Sequence, residues 1–230
     1  MPGTTSEVGA NVARIRDVIV EAAGRVGRDP IDVTIVGAAK GVGAARISEA
    51  VEAGVAAVGH NYVTELTDSR HALDTTAIRW HYIGALRSGT AHRVADLADV
   101  VETVSGERAA RRLAGRAERA GKVLEVLLEV DFTGERIGLA PGDVAMAARI
   151  VDQLTGLRLR GLMTVPPLTP RAEGARPWFA RLRDLRVDLA RTYPDVLELS
   201  MGMSLDYPIA VEEGATMVRI GTALFGPRTP

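Results

Sequence analysis

Val33 to Gly59 reads VTIVGAAKGVGAARISEAVEAGVAAVG. A β-branched, apolar run (Val33 to Ala38) gives way to glycines, then to an alanine-rich stretch with charges at helical spacing (Ala44 to Ala53), and after Gly54 to a second apolar run (Ala57 to Gly59). This reads as strand, helix, strand, and the crossover helix makes the two strands parallel. Gly54 stands where a left-handed residue would end the helix, as Gly121 and Gly214 do after later helical stretches.

The same alternation continues to the end of the chain. Further apolar runs lie at Trp80 to Ile83, Val100 to Val104, Val123 to Val130, Leu159 to Val165, Glu198 to Met201 and Met217 to Ile220, eight in all. Helical stretches separate them at Thr64 to Ala72, Ala91 to Ala98, Glu107 to Ala120, Pro141 to Leu154, Pro177 to Arg191 and Pro208 to Glu213. An opening helix, Glu7 to Val26, carries Val8, Val12, Ile15, Val18, Ile19 and Ala22 on one face. Eight strand-helix units in 230 residues predict an α/β chain folded as one (β/α)8 TIM barrel over residues 1–230, with an extra N-terminal helix. The rival, an open doubly wound sheet, lacks in its dinucleotide form the GxGxxG expected after the first strand.

Composition narrows the function. A net charge of -1 provides no overall basic field for nucleic acid or anionic membrane. The absence of cysteine removes disulfides, thiolate metal sites and cysteine nucleophiles. No uncharged apolar run reaches about 18 residues and the N-terminus has no signal-like core, so the expected location is the cytoplasm.

A barrel builds its active face from the C-terminal ends of its strands. There the sequence places Lys40, Asn61, His81, Asp131, Met163, Ser200 and Arg219. The last two strands run into LSMGMSLD (Leu199 to Asp206) and RIGTALFG (Arg219 to Gly226), loops of glycine and hydroxyls at the position where barrels hold phosphate. Ser200, Ser204 and Thr222 add side-chain donors there. Only two of the 28 basic residues are lysines, Lys40 and Lys122, so a lysine at the first strand's end is conspicuous. A primary amine forms an imine with an aldehyde, which arginine cannot do, and an apolar setting favours the uncharged amine that attacks. An amine opposite a phosphate cradle suits pyridoxal 5'-phosphate (PLP). The competing explanation is a lysine snorkelling from the mouth. Alternatives also stand for Asn61 as a loop cap, His81 as a hydrogen-bonded structural histidine, Met163 as a packing wall and Arg219 as an interior ion pair. Glu129 and Asp131 lack partners at metal-ligand spacing, so no metal site is expected.

The chain resembles the YggS/PROSC family of pyridoxal phosphate homeostasis proteins, which looks like the N-terminal barrel domain of alanine racemase. The resemblance is carried by Lys40, GHNYVTE (Gly59 to Glu65), WHYIG (Trp80 to Gly84), RGLM (Arg160 to Met163), LSMGMS (Leu199 to Ser204) and VRIGTALFG (Val218 to Gly226). It implies that PLP is held as an aldimine on Lys40, that Ser200, Gly221 and Thr222 bind its phosphate with help from the Met201 backbone, that Asn61 lies beside the ring, and that Arg219 faces the pyridine nitrogen. With it, the expected protein is non-catalytic and buffers PLP or delivers it to PLP-dependent apo-enzymes, as a monomer or weak homodimer, while the balanced charge leaves no nucleic-acid or membrane partner expected. The alternatives are a fold-type III enzyme such as an amino-acid racemase and a Schiff-base aldolase. The chain departs from the family pattern at Ala39 and Gly41 to Gly43, at His60 where a glutamate is usual, at Arg87 to Thr90, and at Arg136 where a lysine is usual.

Overall fold

The computed structural model describes residues 6–73 and 77–227. Eight parallel strands, β1 (Thr34–Ala38), β2 (Ala57–His60), β3 (Arg79–Tyr82), β4 (Val100–Val104), β5 (Leu124–Val130), β6 (Leu157–Thr164), β7 (Glu198–Ser200) and β8 (Met217–Ile220), close into a barrel in sequence order. β8 pairs with β1, with Val36 opposite Arg219. The crossover helices are α2 (Ala44–Glu52), α3 (Val63–Ala72), α4 (Ala91–Leu97), α5 (Glu107–Arg119), α6 (Val144–Asp152), α7 (Arg176–Ala190) and α8 (Tyr207–Glu212), preceded by α1 (Glu7–Arg25). The expected barrel and its extra N-terminal helix are therefore present. A last short helix, α9 (Thr222–Phe225), was not legible as periodicity, because four residues complete little more than one turn.

Two apolar layers hold these elements. The larger lies between the outer strand faces and the helices, around residues such as Trp80, Leu113, Leu162 and Phe179. The smaller plugs the inside of the barrel with Val36, Ala57, Leu127, Met163 and Met217. Side chains alternate along a strand, so two residues beyond Leu127 and Met217 the same inner faces present Glu129 and Arg219. The interior thus turns from apolar to ionic toward the strands' C-terminal ends. The three helix-ending glycines, Gly54, Gly121 and Gly214, have φ of +92°, +67° and +102°, the left-handed geometry that their position predicts.

Helix α1 buries Val8, Val12, Ile15, Ile19, Ala22 and Ala23 and packs against α2, α8 and α9. Its Asn11 donates from Nδ2 to the Leu224 carbonyl at 2.9 Å, tying α1 to α9. Ser6 caps it, with Oγ accepting from the Gly9 amide at 3.1 Å. Ser6→Ala should therefore lower the unfolding free energy by about 1 kcal/mol in urea titrations, while Ser6→Asp should leave it close to wild type.

Candidate functional site

A cavity of about 820 Å³ opens at the C-terminal face. Lys40, Asn61, Arg219, Gly221 and Thr222, five of the seven residues expected to hold the cofactor, line it, together with Glu129, Arg136, Met163 and Ser204. Each wall has a local cause. Lys40 follows β1 in a tight turn in which Gly41 has φ +70° and donates its amide to Glu65 Oε1 at 3.2 Å. The Lys40 Nζ lies 5.2 Å from the centroid of the Tyr62 ring and, among the described residues, takes part in no ion pair or hydrogen bond. Asn61 donates from Nδ2 to the Ile83 carbonyl at 3.4 Å, joining the loops after β2 and β3. Those loops approach so closely that a Cβ at Gly84 would sit 1.9 Å from the Asn61 carbonyl oxygen. Asn61 is thus both a loop tie and a cavity wall.

Two of the residues expected at the phosphate have protein partners elsewhere. Ser200 does not line the cavity: it is completely buried, donating its hydroxyl to Glu102 Oε2 at 2.5 Å and accepting from Arg219 Nη1 at 2.5 Å. The Met201 amide is spent on the Met217 carbonyl at 3.1 Å, so the β7–β8 pairing has already taken that donor. The chain then reverses its facing at Gly202, with φ +91°, a turn whose carbonyl accepts from the Arg219 amide at 2.9 Å. Beyond this turn Ser204 reaches the cavity, and its Oγ accepts from the Ala223 amide at 3.1 Å, locking the β7 and β8 loops together. The amides of Gly221 and Thr222 have no acceptor among the described residues.

Beneath the mouth lies a buried polar network that the sequence reading missed. Glu102 on β4 is 0% exposed, with Oε1 2.6 Å from His81 Nδ1. Burial would raise the Glu102 carboxyl, but the His81 hydrogen bond, the His81 and Arg219 charges and the Ser200 hydroxyl hold it below its ordinary value. Arg219 also donates from Nη2 to the Thr164 carbonyl at 2.8 Å, leaving Nε without a protein acceptor among the described residues. Burial lowers its pKa, opposed by Glu102, Glu129 and Asp206, and the guanidinium stays charged. The visible signal was a carboxylate inside the apolar run VVETV, but its partners are 21 and 98 residues away.

Three further polar residues lie near the mouth, of which Asp131 was expected there. Asp131 folds its own loop, accepting from the Thr133 amide and hydroxyl and from the Arg136 amide. His60 is buried and stacks on Trp80 at 6.0 Å, and burial pushes its pKa down to about 4. Glu129, facing the cavity, is pushed by burial up to about 7, against the pull of Arg219 and Arg136.

A free primary amine and unpaired backbone amides thus line one cavity with a buried guanidinium, an arrangement suited to a ligand carrying both an aldehyde and an anion. The sequence matches the family described as alanine racemase, N-terminal domain, over residues 11–229. The pyridoxal phosphate homeostasis proteins of Pseudomonas aeruginosa and Escherichia coli strain K12 are 39% and 38% identical to it, over 97% of this chain and 96% and 97% of theirs. The chain belongs to this family. A solved structure similar to this chain is that of PipY of Synechococcus elongatus PCC7942, determined without PLP and with PLP bound. It superposes with a TM-score of 0.85 at 32% identity, covering 96% of this chain and 100% of PipY. Among the described residues no helix is long and apolar enough to cross a membrane.

Proposed function

We propose that this chain is a single PLP-binding barrel domain, acting in the cytoplasm in PLP homeostasis by buffering or delivering the cofactor without turning over a substrate. The observation that carries the reading is the free Lys40 amine in the same cavity as the unpaired Gly221 and Thr222 amides. The names of the relatives and the PLP-bound structure of PipY support it. PLP supplies a reactive aldehyde and a phosphate on one aromatic ring. Lys40 would anchor it covalently through Nζ. Gly221, Thr222 and Ser204 would hold its phosphate by backbone and hydroxyl donors, at the start of α9. Asn61 would lie beside the ring, and Arg219 would present Nε to the ring nitrogen. Ser200, assigned to the phosphate from the sequence, instead supports Arg219 from below, and Met201 contributes packing. PLP-dependent apo-enzymes would be the clients, and the protein would work as a monomer or weak homodimer.

The test is spectroscopic. Purified protein titrated with PLP should develop a visible absorption band that borohydride bleaches, with the mass increment mapped to Lys40 and the band absent in Lys40→Ala. A wild-type protein without such a band at saturating PLP would overturn the reading. Loaded protein incubated with L-amino acids in deuterated water should incorporate deuterium at Cα no faster than free PLP allows, and rapid incorporation would make it an enzyme.

A further inference from the structure

We propose that Glu102 is a positioning residue for Arg219, fixing its guanidinium against the cofactor ring through the Ser200 hydroxyl. This rests on the PLP-binding reading above. The geometry leaves little freedom. Arginine can only donate, so the 2.5 Å contact from Arg219 Nη1 must be accepted by a Ser200 lone pair. The hydroxyl has one proton, and the acceptor for it is Glu102 Oε2, also at 2.5 Å. Glu102 is held in turn by His81 Nδ1 on its other oxygen. Donation therefore runs from Arg219 on β8 through Ser200 on β7 to Glu102 on β4, and the carboxylate accepts from His81 on β3 at its other oxygen.

The remaining charged groups near Arg219 do not perform this task. Glu129, Asp206 and Arg136 act on it through their charges, and no hydrogen bond joins any of them to its side chain among the described residues. Glu102 Oε2, at 3.8 Å from Nη1, supplies both the countercharge and, through Ser200, the directional contact. The Thr164 carbonyl fixes the second terminal nitrogen. With both Nη atoms committed beneath the cavity, Nε remains as the donor that a ring nitrogen would meet. An apolar residue at position 102 would fill β4 without burying a charge, but Ser200 would then be free to rotate and Nη1 would lose its countercharge.

The experiment compares wild type, Glu102→Gln and Ser200→Ala, each titrated with PLP and with its carbocyclic counterpart, in which a C–H replaces the ring nitrogen. Both variants should keep the borohydride-trappable attachment at Lys40. Both should bind PLP more weakly, on the order of tenfold, the scale of one charge-assisted hydrogen bond, and with a shifted visible band. Toward the carbocyclic analogue, which has no ring nitrogen for Arg219 to meet, they should match wild type. The double variant should be no weaker than the worse single one, since both residues act on one link. Equal weakening toward both ligands, or no weakening toward PLP, would overturn the proposal. A failure of wild type to bind PLP would instead defeat the parent reading. Should Glu102→Gln fold poorly, Ser200→Ala carries the same comparison, because it breaks the relay while keeping both charges.

Discussion

Arg219→Met should cost the unliganded protein about 3–5 kcal/mol of unfolding free energy at pH 7, the range for stranding one member of a buried ion pair. Methionine fills much of the volume, so the loss is electrostatic. Glu102, completely buried, would keep its His81 and Ser200 contacts but lose the cation 3.8 Å away. In the wild type the Glu102 carboxyl is held below its ordinary value, so its contribution is present above the unfolded carboxylate pKa and is lost as pH falls through the lower folded one. Without Arg219 the folded pKa rises, and protonation of Glu102 relieves the stranded charge in acid. The deficit should therefore be larger at pH 8 than at pH 5. Adding Glu102→Gln should restore a large part of it, a non-additivity that a urea-unfolding double-mutant cycle measures directly. Strict additivity of the two substitutions would show that the pair is not energetically coupled.

The same network marks where sequence reasoning reaches its limit. The strands were legible because β-branched runs alternate with alanine- and arginine-rich stretches, and Lys40 and Arg219 stood out as cations among apolar neighbours. The two serines of LSMGMS were a different problem. β7 is only three residues long, and the left-handed turn at Gly202 resets which side chains face inward, so a period-two reading cannot carry from Ser200 to Ser204. The Met201 amide looked available because nothing local reveals that Met217 accepts from it. Glu102 could be noticed in VVETV, yet its meaning depends on His81 and Ser200, which only barrel closure brings to it. His60 shows the converse: a polar side chain next to a functional loop is turned into the wall and stacked on Trp80.

Glu129→Gln should stabilise the unliganded protein by about 3 kcal/mol at pH 8 relative to its effect at pH 4.5. Glu129 sits on β5, on the inner face two residues beyond Leu127, with most of its surface removed from water. Burial pushes its carboxyl up to about 7 from an ordinary 4.5, with Arg219 and Arg136 opposing the shift and Asp131 adding to it. Between those two values the folded protein holds a proton that the unfolded chain has released. Stability from this group is therefore fully present below about pH 4.5 and is lost as the pH rises through 7. Glutamine is uncharged throughout and escapes that loss. Titrating groups far from position 129 largely cancel in the difference between variant and wild type, and Arg219, Arg136 and Asp131 are the main charges acting on it. Urea unfolding at several pH values should trace a difference that grows from pH 4.5 and levels off above 7. A flat difference would mean that Glu129 ionises as readily in the fold as in the unfolded chain. A sloping one would identify a cavity carboxyl that exchanges its proton near neutral pH, on β5, the strand farthest around the closed barrel from β1, which Lys40 follows.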